Sequence, residues 1–166
     1  MSDTDDGWEL TPEKGHPVAR KLLRDPFFWS IADDGAPLGS DTGADTLAFY
    51  CGWRAENPTT PAAAFVQKTL EGWEVGASTE SLDEHELKKA LDEDHFSILT
   101  RDGFLIALAF AQLVLEGRVD PDIRTQALHS IQRQATEVVI SFRGWVGPKE
   151  RRSRSAKMQK ALEAAG

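Results

Sequence analysis

Asp102-Gly103-Phe104-Leu105-Ile106-Ala107-Leu108-Ala109-Phe110-Ala111-Gln112-Leu113-Val114-Leu115-Glu116 is the stretch whose reading decides the fold. It is apolar on nearly every side, and a helix of that kind sits at the centre of a protein, covered by other elements. Gly117 fits a left-handed cap at its end. Asp120-Pro121 then fits the cap and first position of a successor helix. A helical hairpin is therefore punctuated at both ends.

Outward from this hairpin the same grammar repeats. The successor carries apolar residues at 123, 127, 128, 131, 135, 138, 139 and 142, which is helical spacing. Val138-Val139-Ile140 is β-branched enough for its end to be extended instead. After the break at Gly144 to Pro148, residues 148–164 read as a basic helix with Met158 and Leu162 inward. Upstream, a short helix from Pro17 buries Val18, Leu22 and Leu23 and ends at Asp25-Pro26. Phe27-Phe28-Trp29 enters the core, and Asp33-Asp34-Gly35-Ala36-Pro37 is turn chemistry. A helix capped by Asp41 or Thr42 follows, with residues 44, 47, 48, 51 and 55 on one face and Phe49, Tyr50 and Trp53 on another. Thr60-Pro61 starts a helix that runs to Gly72, and another spans Asp83 to Asp94. The expected fold is all-α, one domain over residues 16–166, preceded by a flexible acidic segment at 1–15.

Composition bounds the function. A chain of 166 residues with 40% hydrophobic residues can bury a core without disulfides or metal. A net charge of −8 argues against general nucleic-acid or anionic-membrane binding. The acidic N-terminus has no signal-peptide character, and Phe104 to Ala111 is shorter than a membrane span. The single cysteine, Cys51, fits a reducing cytoplasm. Charge is polarised: residues 141–166 carry a net +5 and residues 71–94 a net −7. Either the basic end docks on the chain's own acidic face, or it meets an acidic partner.

No catalytic signature is present, so the residues assign no catalytic role, and no metal site or cofactor is expected. His85-Glu86-Leu87-Lys88-Lys89 has a lysine where a zinc-protease helix needs its second histidine. The run Gly39-Ser40-Asp41-Thr42-Gly43-Ala44-Asp45 has the make-up of a ligand-holding loop but lacks the later ligands of a calcium loop. With Trp29, Trp53 and Arg54 it could line a small pocket, its ligand-binding candidates being Trp29, Gly39, Ser40, Asp41, Asp45, Trp53 and Arg54. Gln112, Glu116, Arg133 and Gln134 lie on two adjacent apolar helices and are expected to form an internal polar network.

Three stretches together resemble the YfeS-like family of bacterial proteins. They are Asp25-Pro26-Phe27-Phe28-Trp29-Ser30, Pro37 to Asp45 with Trp53-Arg54, and Phe110 to Asp120 with Ile131-Gln132-Arg133-Gln134. The resemblance runs in order over most of residues 16–160 and implies no catalytic residue. Some relatives are associated with a Trp-Gly-Arg domain. Here Gly52-Trp53-Arg54 stands in a different order, so no DNA-binding role carries over. The expected function is a non-enzymatic cytoplasmic protein-interaction or regulatory module, monomer or homodimer, binding a protein rather than nucleic acid or membrane. The alternative is a small-ligand or metal-binding protein, or an enzyme, with its pocket at Gly39–Asp45.

Overall fold

A computed structural model describes residues 10–76, 81–144 and 147–165. Seven helices and no strand occur among them. They are α1 (Pro17–Leu22), α2 (Asp41–Glu56), α3 (Ala62–Gly72), α4 (Glu84–Glu116), α5 (Pro121–Gln134), α6 (Glu137–Arg143) and α7 (Pro148–Ala164), with a single 3-10 turn at Pro26–Trp29. The all-α expectation holds. Of the segment expected to be flexible, residues 1–9 lie outside the described residues, whereas Leu10 and Gly15 are buried.

The decisive stretch forms the second part of α4, and Phe104 through Val114 are buried almost completely. α2 and α5 pack along it, α1 crosses it, and α7 lies on α5. The helix begins earlier than Asp102. The two helical stretches expected around Asp94 are nearly continuous, broken only where Asp94 leaves helical geometry (φ −156°, ψ 72°). The Asp94 carboxylate accepts from the Ser97 N–H at 3.1 Å and so caps the second part. By length and composition α4 could cross a membrane, although 72% of its most apolar window is buried within this fold.

Gly117 closes α4 at φ 73°, as its sequence position requires. The Val114 carbonyl, left without a helical partner, accepts the His16 N–H at 2.8 Å. The His16 ring nitrogen caps α1 by accepting from Val18. Val18 itself is exposed, and Ala19 and Leu23 take the inward positions. Val138-Val139-Ile140 is helical rather than extended. Thr136 caps α6 through the Val139 N–H, and Val139 joins Leu87, Leu91 and Ile98 in a second small core. Burial there outweighs β propensity.

α2 differs from its reading in cap and in face. Ser40, not Asp41 or Thr42, is the N-cap, its hydroxyl accepting from Gly43 N–H at 3.0 Å. The inward face is Gly43, Thr46 and Tyr50; Ala44, Ala48 and Ala55 are exposed. Small side chains at those positions suit helix propensity and carried no burial signal. A Cβ at Gly43 would lie 2.7 Å from the Pro37 carbonyl oxygen, and one at Gly39 would overlap the Asp33 carbonyl. These two glycines let the 33–39 turn rest directly on the start of α2.

Urea denaturation should separate the two capping assignments. Ser40→Ala is expected to lose about 1 kcal/mol of stability, and Asp41→Ala only a few tenths.

Candidate functional site

α7 docks on the protein through cations spaced three residues apart. Arg154 donates to the Asp33 carboxylate at 2.6 Å and lies over the Phe27 ring at 5.1 Å. Lys157 donates to Asp25 at 2.6 Å. The basic helix thus docks on its own chain, on the acids around the aromatic cluster rather than on the acidic stretch 71–94. Lys157 first, then the Phe27 N–H, hold the Asp25 carboxyl below its ordinary range. Burial pushes Asp33 up, but the Gly35 N–H and Arg154 outweigh it and leave that carboxyl low as well.

Beside this dock the surface opens into a cleft of about 150 Å³. One wall is the turn Asp34-Gly35-Ala36-Pro37 with Ser40 and Thr42 at the start of α2. Leu99, Gly103 and Ile106 of α4 form the floor with Met158 of α7. Gln134 closes the end of α5, and Arg143, Arg151 and Arg154 stand around the mouth. The three guanidinium groups feel one another. Desolvation, then Arg151, lowers Arg143; desolvation, then Arg154, lowers Arg151. Carboxylates stand among them as well: Asp33 and Glu150 pair with Arg154, and Asp33, Asp34 and Glu150 act on Arg151, offsetting part of that repulsion.

Behind the floor lies a buried ion pair. Arg133 grips Asp102 with both arms of its fork, Nε to Oδ2 at 2.9 Å and Nη2 to Oδ1 at 2.7 Å, and Gln134 adds a bond to Oδ2 at 2.8 Å. Asp102 and Arg133 are 0% and 2% exposed. Removing either partner would strand a buried charge.

The candidates named from sequence separate into distinct places. Of them only Ser40 lines the cleft; Gly39 is packed against the Asp33 carbonyl, and Asp41 and Asp45 are exposed. Trp29 is buried, its indole N–H donating to the Leu23 carbonyl at 2.8 Å. Trp53 and Arg54 stand at the far end of α2, roughly 20 Å from Ser40 along the helix axis. A pocket combining the loop with Trp53 and Arg54 is therefore not formed. The expected network is two networks. Arg133 and Gln134 meet Asp102, and Gln112 and Glu116 meet Tyr50 and Arg54.

In that second network the Tyr50 hydroxyl donates to Glu116 and accepts from Arg54 at 2.8 Å and Gln112 at 3.2 Å. Burial, and next the Glu116 carboxylate, push Tyr50 up to about 12, so it remains a donor. Arg54 also binds the carbonyls of Asn57 and Thr60, and Asp120 caps α3 at the Ala62 N–H. Every member is used in holding α2, α3, α4 and α5 together, which makes this end structural. Among the described residues no three His, Cys, Asp or Glu side chains converge as a metal site.

Sequence reading passed over Arg143, Arg151, Arg154, Asp33 and Asp34 as tail and turn. Their signal was the three-residue spacing of Arg151, Arg154 and Lys157, matched to acids far upstream at Asp25 and Asp33. The dock has a pH signature. Because Asp25 and Asp33 are lowered in the folded state, their contribution is complete above about pH 4 and is lost as pH falls through their folded values. Urea midpoints taken downward from pH 6 should fall in that acid window, and the fall should be shallower in an Arg154→Ala/Lys157→Ala variant.

No family model matches the chain, and no solved structure matches it. It is similar to "Uncharacterized protein YfeS" of Escherichia coli strain K12, with 25% identity over 136 residues. The alignment covers 80% of this chain and 56% of the relative, so the chain spans little more than half that protein's length. This similarity, extending across most of the chain, supports a YfeS-like family for it.

Proposed function

We propose that this protein is a non-enzymatic cytoplasmic binding module whose ligand is a small anion held in the arginine-rimmed cleft. The observation that carries the reading is the convergence of Arg143, Arg151 and Arg154, from two helices, on one concave surface. Guanidinium forks suit oxyanions because they offer paired, coplanar donors. Gln134, Ser40, Thr42 and Ser155 supply neutral polar groups around them. Among the described residues that line the cleft no nucleophile stands beside a partnered base, and this favours binding over chemistry.

Thermal unfolding against a panel of inorganic and organic anions tests the reading. At least one anion should raise the melting temperature of the wild type by mass action, and that rise should shrink in Arg143→Gln/Arg151→Gln. A wild type indifferent to the whole panel would sink it.

A second reading, a regulatory module that binds a basic protein, has its own support. Phe96 and Phe142 are 52% and 42% exposed, and the His95 ring lies 5.3 Å from that of Phe142. The exposed acids Glu84, Glu86 and Glu93 lie on the adjoining first part of α4. Lys88 and Lys89 stand among these acids, but the edge of the patch is acidic on balance and suits a partner of opposite sign. Reversing those three glutamates to lysine should weaken recovery of a stoichiometric basic partner from bacterial extract. Unchanged recovery would remove this face as the contact.

A further inference from the structure

We infer that the aromatic groove between α2 and α3 binds a proline-rich peptide segment in the polyproline II conformation. The groove shares no residue with the arginine-rimmed cleft, and the inference is independent of that site.

Phe49 and Trp53, one turn apart on α2, line the groove together with Trp73 at the end of α3, and Phe65 is buried among them. The space is about 320 Å³, enough for a small ligand or a few peptide residues. These walls meet water: Phe49 is 53% exposed and both tryptophans are half-buried. They are also held rigidly. The Trp73 ring meets Phe104 edge-on at 5.5 Å and Phe49 at 6.4 Å, and Trp53 packs on Phe65 at 5.4 Å. Just beyond Trp73 the chain turns sharply. The Val75 N–H returns to the Leu70 carbonyl at 3.0 Å, which puts Glu74 at φ 55°, a left-handed conformation that favours glycine. A groove fixed in this way loses little entropy when it is filled.

The polar groups of the groove select the occupant. The Trp29 indole N–H is spent on the Leu23 carbonyl. Those of Trp53 and Trp73 have no acceptor among the described residues, and neither is sealed from water. An indole can only donate, so it calls for an acceptor. A polyproline segment offers carbonyls alone, because proline has no N–H and this helix makes no internal hydrogen bonds. Its rings stack on aromatic side chains, and its shape is formed before it binds.

Charge agrees with an uncharged occupant. Glu56 and Lys68, one of each sign, line the groove and cancel. The Arg54 guanidinium already lies 5.2 Å over the Trp53 ring, which disfavours a second cation on that aromatic set. Gly72 points the same way. It lies at the exposed end of α3, where glycine costs helix stability, yet a Cβ there would meet nothing within 4 Å. Packing among the described residues makes no use of the missing side chain. A bare backbone at the edge of a groove admits the close approach of another backbone.

Titration of the full chain with end-capped octaproline, a Gly-Ser peptide of equal length and tetramethylammonium, followed by calorimetry and tryptophan emission, tests this. Octaproline should bind one-to-one below about 1 mM, at least about tenfold more tightly than either other probe. Phe49→Ala, at an exposed position that the fold tolerates, should weaken it at least about fivefold. Trp73→Phe keeps a ring and removes the N–H, and should weaken it several-fold. Should Trp73→Phe not fold, Trp53→Phe makes the same test. Gly72→Ala should melt higher than wild type without peptide, yet bind octaproline more weakly. Tetramethylammonium bound more tightly than octaproline would overturn the peptide in favour of a cation, and equal binding of the Gly-Ser peptide would remove the proline preference. No octaproline binding at low millimolar concentration would overturn the inference, and so would an affinity unchanged in Phe49→Ala and in the tryptophan variant.

Discussion

Residues 104–114 of α4 lose nearly all contact with water, and every polar group carried by that helix must therefore find its partner inside the protein. Much of the remaining structure answers this demand. Gln112 bonds to Tyr50 and to the Asp120 N–H, Asp102 is held by Arg133 and Gln134, and the loose end at Val114 is taken by His16. These answers bring three helices to α4, so satisfying its polar groups also fixes the positions of α1, α2 and α5.

The two ends of the bundle use charge differently. Around Tyr50 the cations and anions alternate and every member is spent on helix ends and neighbours. Around Gly35, cations from α6 and α7 gather over a shallow space together with the carboxylates of Asp33, Asp34 and Glu150. A saturated network buried among helices rigidifies, whereas charged groups beside a cleft stay within reach of a ligand. The cleft exists because α7 is pulled toward the 33–37 turn by Arg154 and Lys157, which brings Arg151 to its rim and Met158 to its floor.

Much of the helix grammar was legible in the residues. Gly117, Asp120-Pro121 and Asp83 mark helix ends through constraints that act within a few residues, and the structure agrees with each. Where several neighbours could serve, local reasoning chose wrongly, as with Asp41 or Thr42 in place of Ser40. The inward face of α2 was misread for a related reason. Alanine fits either environment, while Thr46 and Tyr50 are buried because Thr46 bonds its own helix carbonyl and Tyr50 finds Glu116 across the bundle.

The sequence by itself determined that this protein is helical, that residues 102–116 lie at its centre, and that its charge is strongly divided. These follow from periodicity, capping and composition, which are properties of neighbouring residues. Only the tertiary structure decided which charges meet. Arg154 and Asp33 are 121 positions apart and Arg133 and Asp102 are 31 apart. No local rule relates such residues, because their pairing depends on how helices cross and on which buried charge lacks a partner nearer by. The cleft, made from the 34–37 turn and five helices, is likewise a property of packing alone.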